Sequence, residues 1–166
     1  MKITSAEAGK LLKTIQNDIN SIIYLETQKR EFAAASTEDP ESNRPAYDYE
    51  AVQKELAEKE KAIRILKHAI NKFNTETKVP GFDMTIDQML IYIPQLTARK
   101  SKLDAMRSRL PKERRNSFTS NIIDYSYANY DIAKAEEDYQ KVSEELTRAQ
   151  LALDSVNSTK KITVEL

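Results

Sequence analysis

The sequence contains no cysteine and no tryptophan, and it has only one histidine and two glycines among 166 residues. Without cysteine, the chain cannot form disulfides, use a thiol nucleophile or bind zinc through sulfur. One histidine, His68, is too few for most histidine-based metal sites and triads, and two separated glycines cannot build a phosphate-binding loop. We therefore predict that the protein is not an enzyme, and we assign it no catalytic residue, metal ligand or cofactor.

The chain has no excess of positive or negative charge, because 26 Lys and Arg residues balance 26 Asp and Glu residues. No overall field therefore directs the molecule toward nucleic acid or anionic lipid. No apolar run approaches the roughly 20 residues of a membrane span, and the residues after Met1 lack the apolar core of a signal peptide. We expect a cytoplasmic protein with no membrane partner.

The residues that are abundant favour long helices. Charged residues make up 31% of the chain. Apolar residues recur at alternating steps of three and four from Tyr49 to Phe73, with Lys59 as the one non-apolar member, and from Ala128 to Val156 without interruption. Four helices are predicted, at about residues 5–35, 48–75, 85–110 and 128–157. Their similar lengths favour a mainly α, single domain over residues 1–166, folded as an elongated, antiparallel, coiled-coil-like four-helix bundle.

Local signals mark two helix starts and one turn. Thr4 stands three residues before Glu7, and Thr85 stands three residues before Gln88, so each pair can form a capping box. Gly81 follows a proline and can take the positive φ of the third position of a turn. These signals predict helices that begin after Thr4 and Thr85, with a chain reversal between the second and third helices.

Two short segments alternate apolar and polar residues with the period of a strand, one near residues 121–127 and one over 161–166. A helix of about 45 Å separates them, so they cannot pair with each other within one subunit. Their partners would come from other subunits or from residues 1–4. We predict that the tail, residues 161–166, exchanges between the protomers of a homo-oligomer, and that residues 112–120 form a loop.

Six side chains of these segments are candidate interface residues. They are Tyr125, Tyr127, Tyr130, Ile162, Val164 and Leu166. We favour packing of the tyrosines within the fold over base stacking. If the fold leaves them uncovered, they become interface anchors, because tyrosine supplies a large apolar area with few rotamers to freeze.

Residues 99–115 form a basic patch with a local charge of +6. Its basic members are Arg99, Lys100, Lys102, Arg107, Arg109, Lys112, Arg114 and Arg115. Such a patch could contact phosphates, but cations are also favoured at the C-terminal end of a helix. We favour charge matching with acidic neighbours, including Asp131 and Glu136 at the start of the fourth helix. Weak association with nucleic acid is the alternative.

Four short stretches carry a family resemblance. They are AINKFNT at 69–75, MTIDQML at 84–90, YSY at 125–127 and TVEL at 163–166. In this order they resemble the septicolysin-like family of small uncharacterised bacterial helical proteins. The resemblance implies a helical fold and supplies neither an established activity nor catalytic residues. The predicted function is a structural or protein-interaction module that self-associates through its helical seams and terminal strands.

Overall fold

The computed structural model describes residues 1–115 and 123–165, which form five helices and four strands. In chain order these are β1 (Lys2–Thr4), α1 (Ser5–Lys29), α2 (Pro40–Asn43), α3 (Tyr49–Glu76), α4 (Ile86–Arg107), β2 (Lys112–Arg115), β3 (Asp124–Tyr127), α5 (Ile132–Thr159) and β4 (Lys161–Thr163). The predicted mainly helical class with short strands is confirmed. The antiparallel four-helix bundle and its coiled-coil packing stay predictions.

The chain divides into two compact units. The first unit comprises Met1–Asn74 and Asn157–Leu166, and the second comprises Thr75–Val156. The single domain over residues 1–166 stays a prediction. Within residues 1–115 and 123–165, no helix has the length and apolar character needed to cross a membrane. The cytoplasmic location also stays a prediction.

In the first unit, the two ends of the chain form an antiparallel ribbon in which Ile3 of β1 lies opposite Ile162 of β4. Beyond it, the Met1 ammonium group donates to the Val164 carbonyl at 2.5 Å, and the Val164 amide donates to the Met1 carbonyl at 2.9 Å. The predicted strand over 161–166 is therefore present at Lys161–Thr163. Its partner is residues 2–4 of the same chain, so the predicted exchange of the tail between protomers is not what this structure shows.

The ribbon of β1 and β4 covers the core of the first unit. Ala8 of α1, Leu66 of α3, and Ile162 and Val164 of the tail form one buried cluster. Partly buried apolar residues pack around it, namely Ile3, Leu11, Leu12, Ile15, Ile65, Ala69, Ile70 and Phe73. Residues 161–165 alternate exposed and buried, because successive side chains of an extended segment point to opposite faces.

The first helix ends earlier than the sequence predicts. α1 stops at Lys29, whereas the apolar stripe predicts helix to residue 35. The Ala35 amide donates to the Glu38 carboxylate at 3.0 Å, and the Glu38 amide donates to the Ala35 carbonyl at 2.9 Å. The Phe32 ring lies 5.1 Å from the Arg44 guanidinium. The Ala35 amide and carbonyl, which a longer helix would use, are therefore bonded to Glu38 instead.

Both predicted capping boxes are present. At the start of α1, the Thr4 amide donates to the Glu7 carboxylate at 2.7 Å, and the Glu7 amide donates to the Thr4 hydroxyl at 3.2 Å. Thr85 and Gln88 make the same reciprocal bonds at the start of α4. Gly81 has φ +80° in the turn before it, as predicted. These features are correct because each depends only on residues close in sequence.

In the second unit, α5 buries one stripe of small and aliphatic residues. The stripe consists of Ala135, Val142, Leu146, Ala149, Leu153 and Val156. Its steps of seven, four, three, four and three match the predicted series. α4 continues through Pro94, and the Tyr92 hydroxyl of α4 donates to the Glu145 carboxylate of α5 at 3.3 Å. This bond links the two long helices of the unit.

A second antiparallel ribbon joins α4 to α5. It pairs β2 with β3, and the Ala128 amide donates to the Pro111 carbonyl at 3.1 Å beyond its end. The predicted strand near 121–127 is present over Asp124–Tyr127. The predicted loop over 112–120 is wrong for Lys112–Arg115, because pairing with β3 makes that segment a strand. The remaining loop residues, and residues 121 and 122 of the predicted strand, lie outside the described residues.

Candidate functional site

The ribbon of β2 and β3 brings together the two features that the sequence shows separately, the basic patch and the tyrosines. Lys112 pairs with Tyr127, and Arg114 pairs with Tyr125. Because side chains two residues apart on a strand share a face, all four lie on one side of the ribbon. We call Lys112, Arg114, Tyr125 and Tyr127 the ribbon face.

The two tyrosines of the ribbon face are exposed and contact Lys112. Tyr125 is 44% exposed and Tyr127 is 64% exposed. The Lys112 ammonium lies 4.0 Å from the Tyr125 ring centroid and 5.5 Å from that of Tyr127, and the two centroids are 6.5 Å apart. An exposed cation–π contact is worth about 0.5–1 kcal/mol. The result is an aromatic surface with positive charge beside it and no covering layer from the described residues.

Part of the basic patch is matched by acidic residues, as the sequence predicts. The Arg107 guanidinium donates to Glu136 of α5 at 3.0 Å and to Asp104 at 2.8 Å, and these bonds raise its pKa. A bond from Gln140 and then the Arg107 bond lower the pKa of Glu136. Arg109 forms an ion pair with Glu113 at 3.6 Å. These two arginines therefore serve the fold of the second unit.

Two cations of the patch lie over one tyrosine ring. Arg107 lies 3.9 Å from the Tyr139 ring centroid, and the Lys100 ammonium lies 5.6 Å from the same centroid. Tyr130, a predicted interface residue, is half-buried, and its hydroxyl donates to the Met106 carbonyl at 2.8 Å. Tyr130 and Tyr139 therefore pack within the fold, in contrast to the two tyrosines of the ribbon face.

Four members of the basic patch have neither an acidic partner nor a tyrosine ring beside them among the described residues. Arg99 and Lys102 line an open cavity of about 440 Å³ together with Asp138 and Lys141. Arg114 and Arg115 are exposed on β2, and like Arg99 and Lys102 they form no ion pair with a described residue. This unmatched charge is available to a partner.

Three of the predicted interface residues belong to the tail, and two of these are buried in the core of the first unit. Ile162 is 4% exposed and Val164 is 1% exposed, because both belong to the core that Ala8 and Leu66 complete. They are not accessible to a second molecule, so their assignment as interface residues is corrected. Leu166 lies outside the described residues.

A second surface, which the sequence analysis misses, lies on the first unit. A cavity of about 240 Å³ between α1 and the start of α3 has apolar walls that include Ile22, Leu25 and Val52. Its other lining residues are Glu26, Lys29, Ala46, Tyr47, Asp48, Ala51 and Glu55. We call this cavity the acidic groove, because its lining contains three carboxylates and one ammonium group.

Large apolar side chains are also exposed near the C-terminal end of α1. Ile23, Tyr24 and Leu25 are 46%, 65% and 55% exposed. Three consecutive helical residues are spread by about 100° each, so they cannot all face one core. Their presence in a row is the sequence signal that could have indicated an exposed apolar surface at this end of α1.

One hydrogen-bond network forms the wall of the acidic groove. The Glu26 carboxylate accepts from the Tyr47 hydroxyl at 2.6 Å and from the Gln53 amide at 2.8 Å. The bond to Glu26 is the main cause that raises the pKa of Tyr47 to about 12. The neutral phenol is thus favoured in the folded chain, whereas a free tyrosine ionises near pH 10.

This shift predicts a stability loss at alkaline pH. The folded-state pKa of Tyr47 is higher than that of a free tyrosine. The bond between Tyr47 and Glu26 therefore stabilises the fold fully below pH 10, and this stabilisation is lost as the pH rises from about 10 to 12. We expect the free energy of unfolding, measured by denaturant titration across this interval, to fall more steeply for the wild type than for Tyr47→Phe. Tyr49→Phe is the matched control, since Tyr49 is 63% exposed. Equal slopes for the wild type and Tyr47→Phe would contradict the assignment.

Metal-binding groups do not converge in the part of the chain that the structure describes. No three of its histidine, aspartate and glutamate side chains are placed to hold one ion. His68 is exposed on α3. The ribbon face and the acidic groove are the two surfaces that we consider for binding a partner.

Comparison with known proteins gives a fold and no function. No family model matches the sequence, and no curated protein matches it. The chain is similar to a solved structure from Corynebacterium diphtheriae, which is described as a functionally unknown conserved protein. The TM-score is 0.61 at 16% sequence identity, over 98% of this chain and 100% of that one. The two proteins thus share a fold, and the resemblance to the septicolysin-like family stays a prediction.

Proposed function

We propose that the protein is a non-catalytic structural module that self-associates, and that the ribbon face is its contact surface. The observation that carries the proposal is the exposure of Tyr125 and Tyr127 beside Lys112 and Arg114. Tyrosine and arginine are enriched among the residues that dominate protein–protein binding energy. The antiparallel helical bundle predicted from the sequence would be the scaffold that presents this face.

The backbone of the ribbon supports the same role. β2 and β3 pair with each other and with no other described strand, so each has an outer edge. An outer edge presents backbone donors and acceptors that another chain can pair with. The proposal moves the contact from the terminal strands to the ribbon face, because Ile162 and Val164 are buried.

The test is the molar mass of the full chain in solution as a function of concentration. We expect the wild type to be oligomeric and the double variant Tyr125→Ser/Tyr127→Ser to be monomeric at the same concentration. Leu151→Ser is the matched control, because Leu151 is 66% exposed and lies outside the ribbon face. Analytical ultracentrifugation of the three proteins measures this. A monomeric wild type, or a double variant that associates like the wild type, would overturn the proposal.

Nucleic-acid association is the second candidate, because one specific observation favours it. Two exposed tyrosines beside two cations are also what proteins that bind single strands present for base stacking and phosphate contact. Fluorescence anisotropy of a labelled single-stranded oligonucleotide at low salt tests it. This candidate is supported if the logarithm of the binding constant falls linearly with the logarithm of the salt concentration. Lys112→Ala and Arg114→Ala should each reduce the binding. Absence of binding at low salt rejects it.

A further inference from the structure

The acidic groove and the ribbon face are complementary in charge. The groove lining includes the carboxylates of Glu26, Asp48 and Glu55, with Lys29 as its one cation. The ribbon face carries Lys112 and Arg114, and no described carboxylate forms an ion pair with either. Opposite charges on two such surfaces favour their encounter and fix their register.

The two surfaces also match in size and apolar character. The groove volume of about 240 Å³ is below the roughly 300–1,000 Å³ of pockets for drug-sized ligands, so it suits one large side chain. An amphipathic helix would need a longer groove with successive anchor positions. Tyr127 is the more exposed tyrosine of the ribbon face and can place an apolar ring against Ile22, Leu25 and Val52 while its hydroxyl stays near the carboxylates.

We propose that the acidic groove of one copy receives Tyr127 from the ribbon face of a second copy, with Lys112 and Arg114 facing the groove carboxylates. This inference rests on the proposed self-association and names the surface to which the ribbon face binds. Every copy carries both surfaces, so the contact joins two different patches. Such an asymmetric contact gives rings or chains of protomers, according to whether the rotation between them closes.

The absence of cysteine allows a direct test by disulfide capture between two preparations of the full chain. One carries Lys29→Cys at the groove, and the other carries Arg114→Cys on the ribbon face, so that both tyrosines and Lys112 are retained. After mixing and mild oxidation, we expect the mixed disulfide as the main cross-linked product. Its yield should fall when high salt is present before oxidation, because the surfaces meet through opposite charges.

In the control, the second preparation carries Leu151→Cys instead of Arg114→Cys. Leu151 is exposed and lies outside both surfaces. Capture of this control as efficiently as of Arg114→Cys would overturn the inference. A charge exchange gives an independent measure: Glu55→Lys and Arg114→Glu should each weaken association, and a one-to-one mixture of the two variants should restore it. Failure of the mixture to associate better than either variant alone would also overturn the inference.

The results separate this inference from the proposed function. A wild type that associates through Tyr125 and Tyr127 without selective capture at the groove retains the proposed function and rejects the groove as its partner. A different protein or a small ligand in the groove would appear as this same outcome. A wild type that is monomeric rejects both.

Discussion

Leu66→Ala is expected to destabilise the first unit by about 2–5 kcal/mol. Leu66 is completely buried, and its neighbours in the cluster are Ala8, Ile162 and Val164. The substitution removes three carbon atoms from a packed site to which α1, α3 and the tail all contribute. The cost combines the lost transfer free energy with that of the cavity left behind, and the small size of Ala8 limits how far the site can collapse to fill it.

Amide hydrogen exchange measures this effect best, because it reports the opening free energy of each segment. We expect faster exchange in α1, α3 and β4 of the Leu66→Ala protein. Leu151→Ala is the control and should change stability by less than about 0.5 kcal/mol, because Leu151 is largely exposed. If Leu66→Ala changed the stability as little as Leu151→Ala does, Leu66 would not lie in a packed core.

Ile162→Asp is expected to detach the tail from the first unit. Ile162 is 4% exposed and lies opposite Ile3, so an aspartate there would bury a carboxylate without a partner. An unpaired buried charge costs several kcal/mol, which is more than a ribbon of three residues per strand can offset. The tail should therefore leave its site, which would expose Ala8 and Leu66 to water.

Thr163→Asp is the matched control, because Thr163 is the next residue of β4 and is exposed. Exchange of the β1 and β4 amides should become fast in Ile162→Asp and stay slow in Thr163→Asp. The molar mass of Ile162→Asp should not fall below that of the wild type, since the tail pairs with its own chain. A monomeric Ile162→Asp beside an oligomeric wild type and Thr163→Asp would support the exchange of tails predicted from the sequence.

The helix starts could be predicted from the sequence because the determining contacts are local. Thr4 with Glu7 and Thr85 with Gln88 satisfy backbone groups within one turn of helix. The end of α1 could not be predicted in the same way. The apolar stripe continues to Ala35, but Phe32 and Ala35 contact Arg44 and Glu38, which lie beyond the stripe.

The strands show the same division between local and distant determinants. Alternation in the sequence indicated β3 and β4, whereas β2, with the sequence KERR, has no alternation to indicate a strand. Its conformation comes from pairing with Asp124–Tyr127 and from the contact of Lys112 with two tyrosine rings. The chain ends pair through residues 2–4 and 161–163, which share the sequence KIT. Alternation alone left two partners open for the tail, residues 1–4 and another subunit.

The candidate site was predicted in its parts and missed as a whole. The sequence indicated Tyr125 and Tyr127 as interface anchors and the basic patch as a charged surface, but not that Lys112 and Arg114 lie beside the tyrosines. That placement depends on the register of β2 against β3, and a shift of one residue would move the cations to the other face. The acidic groove was missed because its lining comes from two helices and the segment between them.

The balanced net charge of the chain is accompanied by local segregation. Residues 99–115 carry a charge of +6, and Arg107 and Arg109 are matched within the second unit. The unmatched members include Arg114, which belongs to the ribbon face. A chain without overall charge can therefore still have two surfaces of opposite sign, and long-range repulsion between copies is small.

Hydroxyl-radical footprinting of the wild type at low and high protein concentration tests the role of the ribbon face most directly. We expect Tyr125 and Tyr127 to be oxidised in the dilute protein and protected in the concentrated one, while the exposed Leu151 reacts equally in both. Protection should disappear in high salt. Equal oxidation of both tyrosines at a concentration where the molar mass shows an oligomer would contradict the account, because the contact would then lie elsewhere.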